Sequence, residues 1–328
     1  MFTVPDPVKD FIHRYSRFLI LGHLDPDGDC VASQLALALF LKRMGKETLL
    51  LSAGPFDRPE IAPYTEFFQS RLDPADQAAA GSGAAAVVLD CSSPERVGAL
   101  YESVSSLPLL VIDHHASGDE FGSERWVESE APAVTFMVQL LIEALGEKPN
   151  REEAKLLLFG LCTDTGFFRH LEKHCPRVFA AVARLTAAGA NPREAYRMIY
   201  SGGGLGKLKL LARTLLRAEP CLDGRVIVTC QTLKDFRSPR GEAVQGSDDL
   251  YRLLQNVRGA ELVVLIREED DGRCTVGLRS ADSFDAGVFA KSCGGGGHAR
   301  AAGYPEAGSV AEVRKRLIDR LRQLRSWT

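Results

Sequence analysis

The chain has 328 residues, 45% of them apolar, and a net charge of −3. That length exceeds the usual single domain and supplies enough apolar side chains for two cores, while the near-neutral charge removes any general electrostatic drive toward long nucleic acid. No apolar stretch approaches the roughly 20 residues that span a bilayer, and Met1 to Arg17 lacks the apolar centre of a signal peptide, so a soluble, cytoplasmic protein with no membrane partner is expected.

The first predicted strand, Phe18 to Leu21, ends abruptly in Gly22-His23-Leu24-Asp25-Pro26-Asp27-Gly28-Asp29. Helical spacing follows from Cys30 to Met44, through Val31, Leu35, Ala38 and Leu39, with Gly45 at the capping position. Two more strands behave like the first: Ala86 to Leu89 runs into Asp90, and Leu109 to Ile112 runs into Asp113-His114-His115. Each delivers ligand-type side chains at its carboxyl end, the edge at which open parallel sheets bind ligands. Helical patterns from Ala133 to Leu145 and from Glu152 to Leu161 follow, the second leading into Cys162-Thr163-Asp164-Thr165-Gly166.

At Ser201-Gly202-Gly203-Gly204 the composition turns glycine-rich. The expected division is a first domain over 1–195, a linker with one helix over 196–222, and a second domain over 223–328. The second half carries strand-like runs from Arg225 to Cys230, Glu261 to Arg267 and Cys274 to Arg279, and a polar, aperiodic loop between Lys234 and Asp249. Gly294 to Gly297, His298, a helix-compatible Ala299-Arg300-Ala301-Ala302-Gly303 and an amphipathic helix from Val310 to Leu324 close the chain. The fold class is α/β: an N-terminal parallel-sheet domain and a smaller C-terminal α/β domain.

His23, Asp27, Asp29, Asp90, His114 and Asp164 bring four carboxylates and two imidazoles from four separate segments. Converging carboxylates repel unless protons or cations neutralise them, and two divalent ions supply the four matching charges. Oxygen and imidazole ligands together favour Mn²⁺, with Fe, Co or Zn next, over Ca²⁺. The glycine run at 294–297 offers backbone N–H groups to an anion without side-chain obstruction.

These residues resemble the DHH phosphoesterases, named for the triplet that Asp113-His114-His115 matches. His23 to Asp29 is similar to the family's first motif, Leu89-Asp90 to its second, the triplet to its third and Thr163-Asp164-Thr165-Gly166 to its fourth, all in order. The resemblance implies that His23 and Asp27 bind one metal and that Asp29, His114 and Asp164 bind the other. Asp90 then bridges the two as a catalytic ligand, His115 faces the substrate and Asp113 orients its neighbours. Two such ions activate water for in-line attack on phosphorus. Ala32-Ser33 departs slightly from the Gly-Ser of many relatives.

The resemblance extends into the second half. Gly294 to Gly297 with His298 is similar to the GGGH-type signature of the DHH-associated domain, and Gly277-Leu278-Arg279-Ser280 to its strand ending in a substrate-facing Arg. Arg279, Ser280, Gly295, Gly296, Gly297 and His298 are therefore the expected substrate-binding residues, in a cleft facing the metals. Arg300 stands where many relatives carry Asn.

The layout resembles the nanoRNase group, which implies hydrolysis of short RNA or DNA oligonucleotides, linear dinucleotides and 3′-phosphoadenosine 5′-phosphate. The sequence leaves the oligomeric state open, a homodimer included. The rival readings are a cyclic-dinucleotide phosphodiesterase, an inorganic pyrophosphatase and a nucleotide-binding regulator whose catalysis has decayed.

Other features carry plainer readings. Cys30 and Cys91 adjoin site acids but belong to core-facing positions. His170, His174 and Cys175 have a zinc-like spacing but no fourth ligand at a typical interval. The cluster Arg314, Lys315, Arg316, Arg320, Arg322 and Arg325 shares a helix with the apolar stripe Val313, Leu317, Leu321 and Leu324, which makes it a solvated outer face. Phe167 and Phe168 suit base stacking and core packing equally.

Overall fold

The structure, a computed structural model, describes residues 2–73, 83–171, 173–201, 204–236, 248–281 and 284–324. They fall into two compact units, 1–202 and 203–328.

In the first unit, α1 (Asp6–Arg14), β1 (Arg17–Leu21), α2 (Gly28–Arg43) and β2 (Glu47–Leu51) lead to β3 (Ala84–Leu89). The short helices α3 (Pro94–Val97) and α4 (Leu100–Val104) connect it to β4 (Leu109–Asp113), and β5 (Glu124–Val127) follows. The five strands form one sheet in the order β2-β1-β3-β4-β5, every neighbouring pair parallel. Four helices complete the unit: α5 (Val134–Ala144), α6 (Arg151–Asp164), α7 (Cys175–Ala187) and α8 (Pro192–Tyr200).

The strands are short continuous apolar runs because both faces of the sheet are covered. Successive side chains point to opposite faces: Phe18, Ile20, Val87, Leu89 and Ile112 join a core with α1, α2, α5 and α6, whereas Leu19, Leu21, Val88 and Val111 join another with Val97, Leu100 and Val104. Helix α2 is buried on nearly every side from Gly28 to Ala38, packed between the sheet and the pair α5 and α6, so it is apolar all round rather than striped. Asn150 and Glu153 form a capping box at the start of α6. The Glu153 carboxylate, fully buried, is held there by Arg43 of α2 at 3.1 Å. The edge strands β2 and β5, which sequence patterning did not single out, are only partly covered and keep polar residues.

In the second unit, α9 (Leu205–Leu216), β6 (Glu219–Cys221), β7 (Val226–Gln231), α10 (Leu233–Phe236), α11 (Asp248–Leu254), β8 (Leu262–Glu268) and β9 (Arg273–Ser280) come first. They are followed by α12 (Ala286–Ser292), β10 (Gly296–His298), β11 (Ala301–Ala307) and α13 (Val310–Arg322). The mixed sheet runs β10-β11-β9-β8-β7-β6, with β7 and β8 parallel and the other pairs antiparallel.

Two expectations differ from this architecture. The stretch 196–222 is divided: the end of α8 belongs to the first unit, while Leu211 and Leu215 of α9 pack on Ile227 and Val263 in the second. The helix-compatible run 299–303 instead enters β11, paired with β9 on one side and β10 on the other. Burial alternates there, with Ala302 and Tyr304 inward, so a period of two decides over helix propensity. Gly202, Gly203, residues 237–247 of the aperiodic loop and Arg325 lie outside the described residues. The basic face of α13 is charge-paired: Arg316 and Arg320 both grip Glu306, at 2.7 and 2.6 Å.

Candidate metal centre and active site

Three strand ends and two helix ends build the site. His23 stands two residues beyond β1, Asp90 directly follows β3, and Asp113 is the last residue of β4, with His114 and His115 next. Asp29 lies in the first turn of α2 and Asp164 is the last residue of α6. Glycines let these ends approach. A Cβ on Gly22 would stand 2.2 Å from the Cys30 Sγ, and one on Gly28 would stand 2.5 Å from the Thr163 Cγ2, so α2 and α6 meet backbone to side chain, one residue from each acid.

Asp90 sits at the centre, 2% exposed. Its Oδ2 lies 3.6 Å from His23 Nε2 and its Oδ1 lies 3.5 Å from His114 Nε2. Both imidazoles are oriented from behind: the His23 Nδ1 meets the Leu24 carbonyl at 2.7 Å and the His114 Nδ1 meets that of Ala131 at 3.1 Å. With Nδ1 protonated for those carbonyls, each ring turns Nε2 toward one oxygen of Asp90. Separations of 3.5–3.6 Å are long for hydrogen bonds. They suit ligands sharing an ion, since two atoms each about 2.1 Å from one cation lie about 3.0–3.5 Å apart. Asp90 Oδ1 is also buried with no hydrogen-bond partner among the described residues, and a carboxylate oxygen so placed suits a cation, a proton or a bound water.

Asp164 reaches the same place from α6, its Oδ2 3.5 Å from His114 Nε2. Asp29, fully buried, accepts from the backbone N–H of Val134 at 2.5 Å and from the Thr135 N–H and hydroxyl at 3.0 and 2.5 Å. It therefore caps α5 while standing within reach of His114 and Asp164. Asp27 caps α2, its Oδ1 accepting from the N–H groups of Asp29 and Cys30 at 3.0 and 3.1 Å. Donor atoms within 4.8 Å of one another form three groups among the described residues: His23, Cys30, Asp90; Asp90, His114, His115; and Asp29, His114, Asp164. Asp27 belongs to none of them, though its charge is felt at His23 and Asp164.

The charges respond to this crowding. Burial, with Asp90 and Asp164 alongside, holds the Asp29 carboxyl well above the usual range, and burial pushes Asp164 up to about 6 against the pull of His114. Burial alone would discharge His114, yet Asp90, Asp29 and Asp164 outweigh it and raise the imidazole to about 10. Asp90 lies far below the usual range because His114 and His23 overcome its own burial. Protons and cations thus compete for one set of oxygens and nitrogens.

His115, about one third exposed, is held by Asp113, whose Oδ1 accepts from its Nδ1 at 2.7 Å and from the His114 N–H at 2.8 Å. That hydrogen bond raises the His115 pKa, against partial burial. Beside the pair lies a cavity of about 90 Å³ that Ser92, Ser117 and Arg125 also line.

Comparison with known proteins gives the family. The family model "DHH family, N-terminal domain" matches residues 17–161 and the model "DHHA1 domain" matches 241–324. A bifunctional oligoribonuclease and PAP phosphatase, NrnA, of Thermus thermophilus is 30% identical over 307 residues, covering 93% of this chain and 89% of that protein. The chain is a DHH-family phosphoesterase. NrnA of Bacillus subtilis is 29% identical over 297 residues, covering 89% of this chain and 90% of its own. An exopolyphosphatase-related protein from Bacteroides fragilis has the same fold, with a TM-score of 0.82 at 21% identity over 97% of this chain and 95% of its own.

In the second unit of this DHH phosphoesterase, Arg279 lies at the end of β9 with its guanidinium 4.7 Å over the Tyr251 ring. Ser280 is buried and its hydroxyl donates to the Ala299 carbonyl at 2.9 Å. The glycines serve packing as well as access. A Cβ on Gly295 would stand 2.1 Å from the Gly303 carbonyl oxygen, and Gly297 has φ +134°. The N–H groups of Gly294 and Gly295 already bond α12 carbonyls, whereas Gly296 and His298 are exposed.

Cys30 does more than pack in the core, the role its position in the sequence suggests. The thiol is fully buried and accepts from Gln34 Nε2 at 3.4 Å, yet it also stands in the donor group with His23 and Asp90. The signal was its place directly after Asp29, at the buried start of α2. His174 instead meets Glu130 at 3.0 Å, and no zinc-like group forms there among the described residues.

Proposed function

We propose that this phosphoesterase works with two divalent ions on short oligonucleotides and on 3′-phosphoadenosine 5′-phosphate. The observation that carries the two-ion reading is Asp90, a buried carboxylate with one imidazole Nε2 facing each oxygen and one oxygen unpartnered. His23, Asp27 and Asp90 hold one ion; Asp90, Asp29, His114 and Asp164 hold the other. Mn²⁺ suits this oxygen and imidazole set best. Bound ions there supply Lewis acidity and an activated water for in-line attack on phosphorus.

The chain's own residues do the rest. Asp113 fixes the His115 ring through Nδ1, leaving Nε2 to meet the leaving oxygen. Similarity to two oligoribonuclease and PAP phosphatases over about nine tenths of the chain supports nucleotide substrates. The near-neutral charge supports short ones. Arg279, Ser280, Gly295, Gly296, Gly297 and His298 are the proposed substrate-binding residues of the second unit.

The test sets pApA, a 24-mer RNA, cyclic di-AMP, 3′-phosphoadenosine 5′-phosphate and pyrophosphate side by side with Mn²⁺. pApA and 3′-phosphoadenosine 5′-phosphate are expected to turn over fastest, and Asp90→Asn to lower both rates by roughly 10³-fold or more. Faster turnover of pyrophosphate or cyclic di-AMP would move the chain to those activities. Tight nucleotide binding without turnover would make it a regulator.

A further inference from the structure

Beyond Asp164 the chain sets out a connected series of aromatic rings that the metal chemistry does not use. The Phe167 ring lies 5.5 Å from Tyr196, and Tyr196 lies 4.7 Å from Tyr200, both on α8. Phe168 and then Phe179 stand behind Phe167, at 5.7 and 5.3 Å. Phe167 and Phe168 pack against the core. The outer rings are open to solvent: Tyr196 is 51% and Tyr200 38% exposed.

The series begins three residues after Asp164. That carboxylate is 28% exposed whereas Asp90 and Asp29 are buried, so the metal centre meets solvent at the acid from which the rings depart. Phe167 and Phe168 have φ of +58° and +69°, a left-handed conformation that bulky residues avoid. Backbone outliers of this kind collect at ligand sites, where the surroundings hold them.

On α8, Arg193, Tyr196, Arg197 and Tyr200 fall at i, i+3, i+4 and i+7, one face of the helix. Both arginines are exposed and have no ion-pair partner among the described residues. Exposed rings interleaved with unpaired guanidinium groups suit a single strand, whose bases stack while its phosphates meet the charges. Self-association is a poorer match, because a two-fold contact through this face would set Arg193 and Arg197 near their own copies.

We propose that Tyr196 and Tyr200, backed by Phe167, form a stacking platform for the bases of an oligonucleotide whose phosphate lies at the metals, with Arg193 and Arg197 on its backbone. The platform rests on the oligonucleotide reading above and adds to it a sequence-tolerant grip that a substrate with one base exploits less.

A thermodynamic cycle tests it. KM is measured with Mn²⁺, and binding with Ca²⁺ in its place, for a 2-aminopurine-labelled RNA trinucleotide and for the same strand lacking the bases after the first. Tyr196→Ala/Tyr200→Ala is expected to weaken the full trinucleotide about 10-fold or more. The abasic strand should lose a similar factor on the unaltered protein and little further on the variant, and Tyr196→Phe/Tyr200→Phe should keep the affinity. Equal losses for both strands, no loss, or a halved hydrodynamic mass in the alanine variant would overturn the platform. Hydrolysis that proceeds while the cycle is additive sinks the platform alone. Binding that follows the cycle without hydrolysis sinks the activity reading alone.

Discussion

Asp90 has φ +55° at the end of β3, a conformation an aspartate tolerates better than a branched residue. The turn drops its carboxylate back between His23 and His114 instead of extending it into solvent. Gly160 on α6 is a quieter counterpart: a Cβ there would stand 2.4 Å from the Thr135 Cγ2 and 3.0 Å from the Asp29 Oδ1. Replacing glycine by alanine inside a helix ordinarily stabilises by about 0.5–1 kcal/mol. Gly160→Ala is expected to do the reverse, by about 1–3 kcal/mol, because the methyl overpacks the seat of Asp29. Denaturant unfolding measures the sign, and metal titration should show weaker binding; a stabilised variant with unchanged affinity would refute this account. The proposed ligands stand out in the sequence by type and order. What was not legible is that the proposed ligand Asp29 also caps α5, since its partners there lie 105 and 106 residues along the chain.

At the scale of elements, patterning located β1, β3, β4, β7, β8 and β9 because continuous or alternating apolar runs of strand length mark covered sheets. It missed β2 and β5, whose edge positions leave half their residues polar. It also misjudged 299–303, where alanine favours helix locally but pairing with β9 and β10 prevails. Charge pairs between elements were equally invisible. Arg217, directly after α9, forms a two-pronged pair with Asp235 of α10 at 2.5 and 2.9 Å. That pair, with the Thr232 N–H and hydroxyl, lowers the Asp235 carboxyl to about 2 despite burial. A folded pKa below the ordinary value of about 3.9 contributes stability above pH ~4 that is lost as pH falls toward 2. Asp235→Asn should therefore cost stability at pH 6, and the gap to the unaltered protein should close between about pH 4 and 2. Denaturant midpoints across that range check it; a gap independent of pH would refute it.

For the whole molecule, the two units have separate cores, and the proposed ligands His23, Asp27, Asp29, Asp90, His114 and Asp164 all belong to the first. Ions that bind only the folded state stabilise it by about 2.7 kcal/mol at a hundred times their dissociation constant. Removing divalent ions with EDTA should accordingly lower the first unit's thermal transition by roughly 5–10 °C and leave that of the second in place. Calorimetry with and without chelator separates the transitions. A shift confined to the second unit, or none at all, would contradict the proposed site. No helix among the described residues is long and apolar enough to cross a membrane.

Legible from the chain alone were the α/β class, the acids and histidines that follow β1, β3 and β4, and the first three motifs, which fall within the residues matched to the DHH family. Each is a local property: side-chain type, period, and the abrupt change from apolar run to polar loop. The tertiary structure alone decided the strand order β2-β1-β3-β4-β5, which makes β1 and β3 neighbours although α2 and β2 separate them in the chain. In that order the connections leave β1 and β3 in opposite directions, opening a crevice at their carboxyl ends. His23 and Asp90 stand there 3.6 Å apart. Long-range pairing carries no trace in the composition of either strand, because any two covered parallel strands present the same apolar runs.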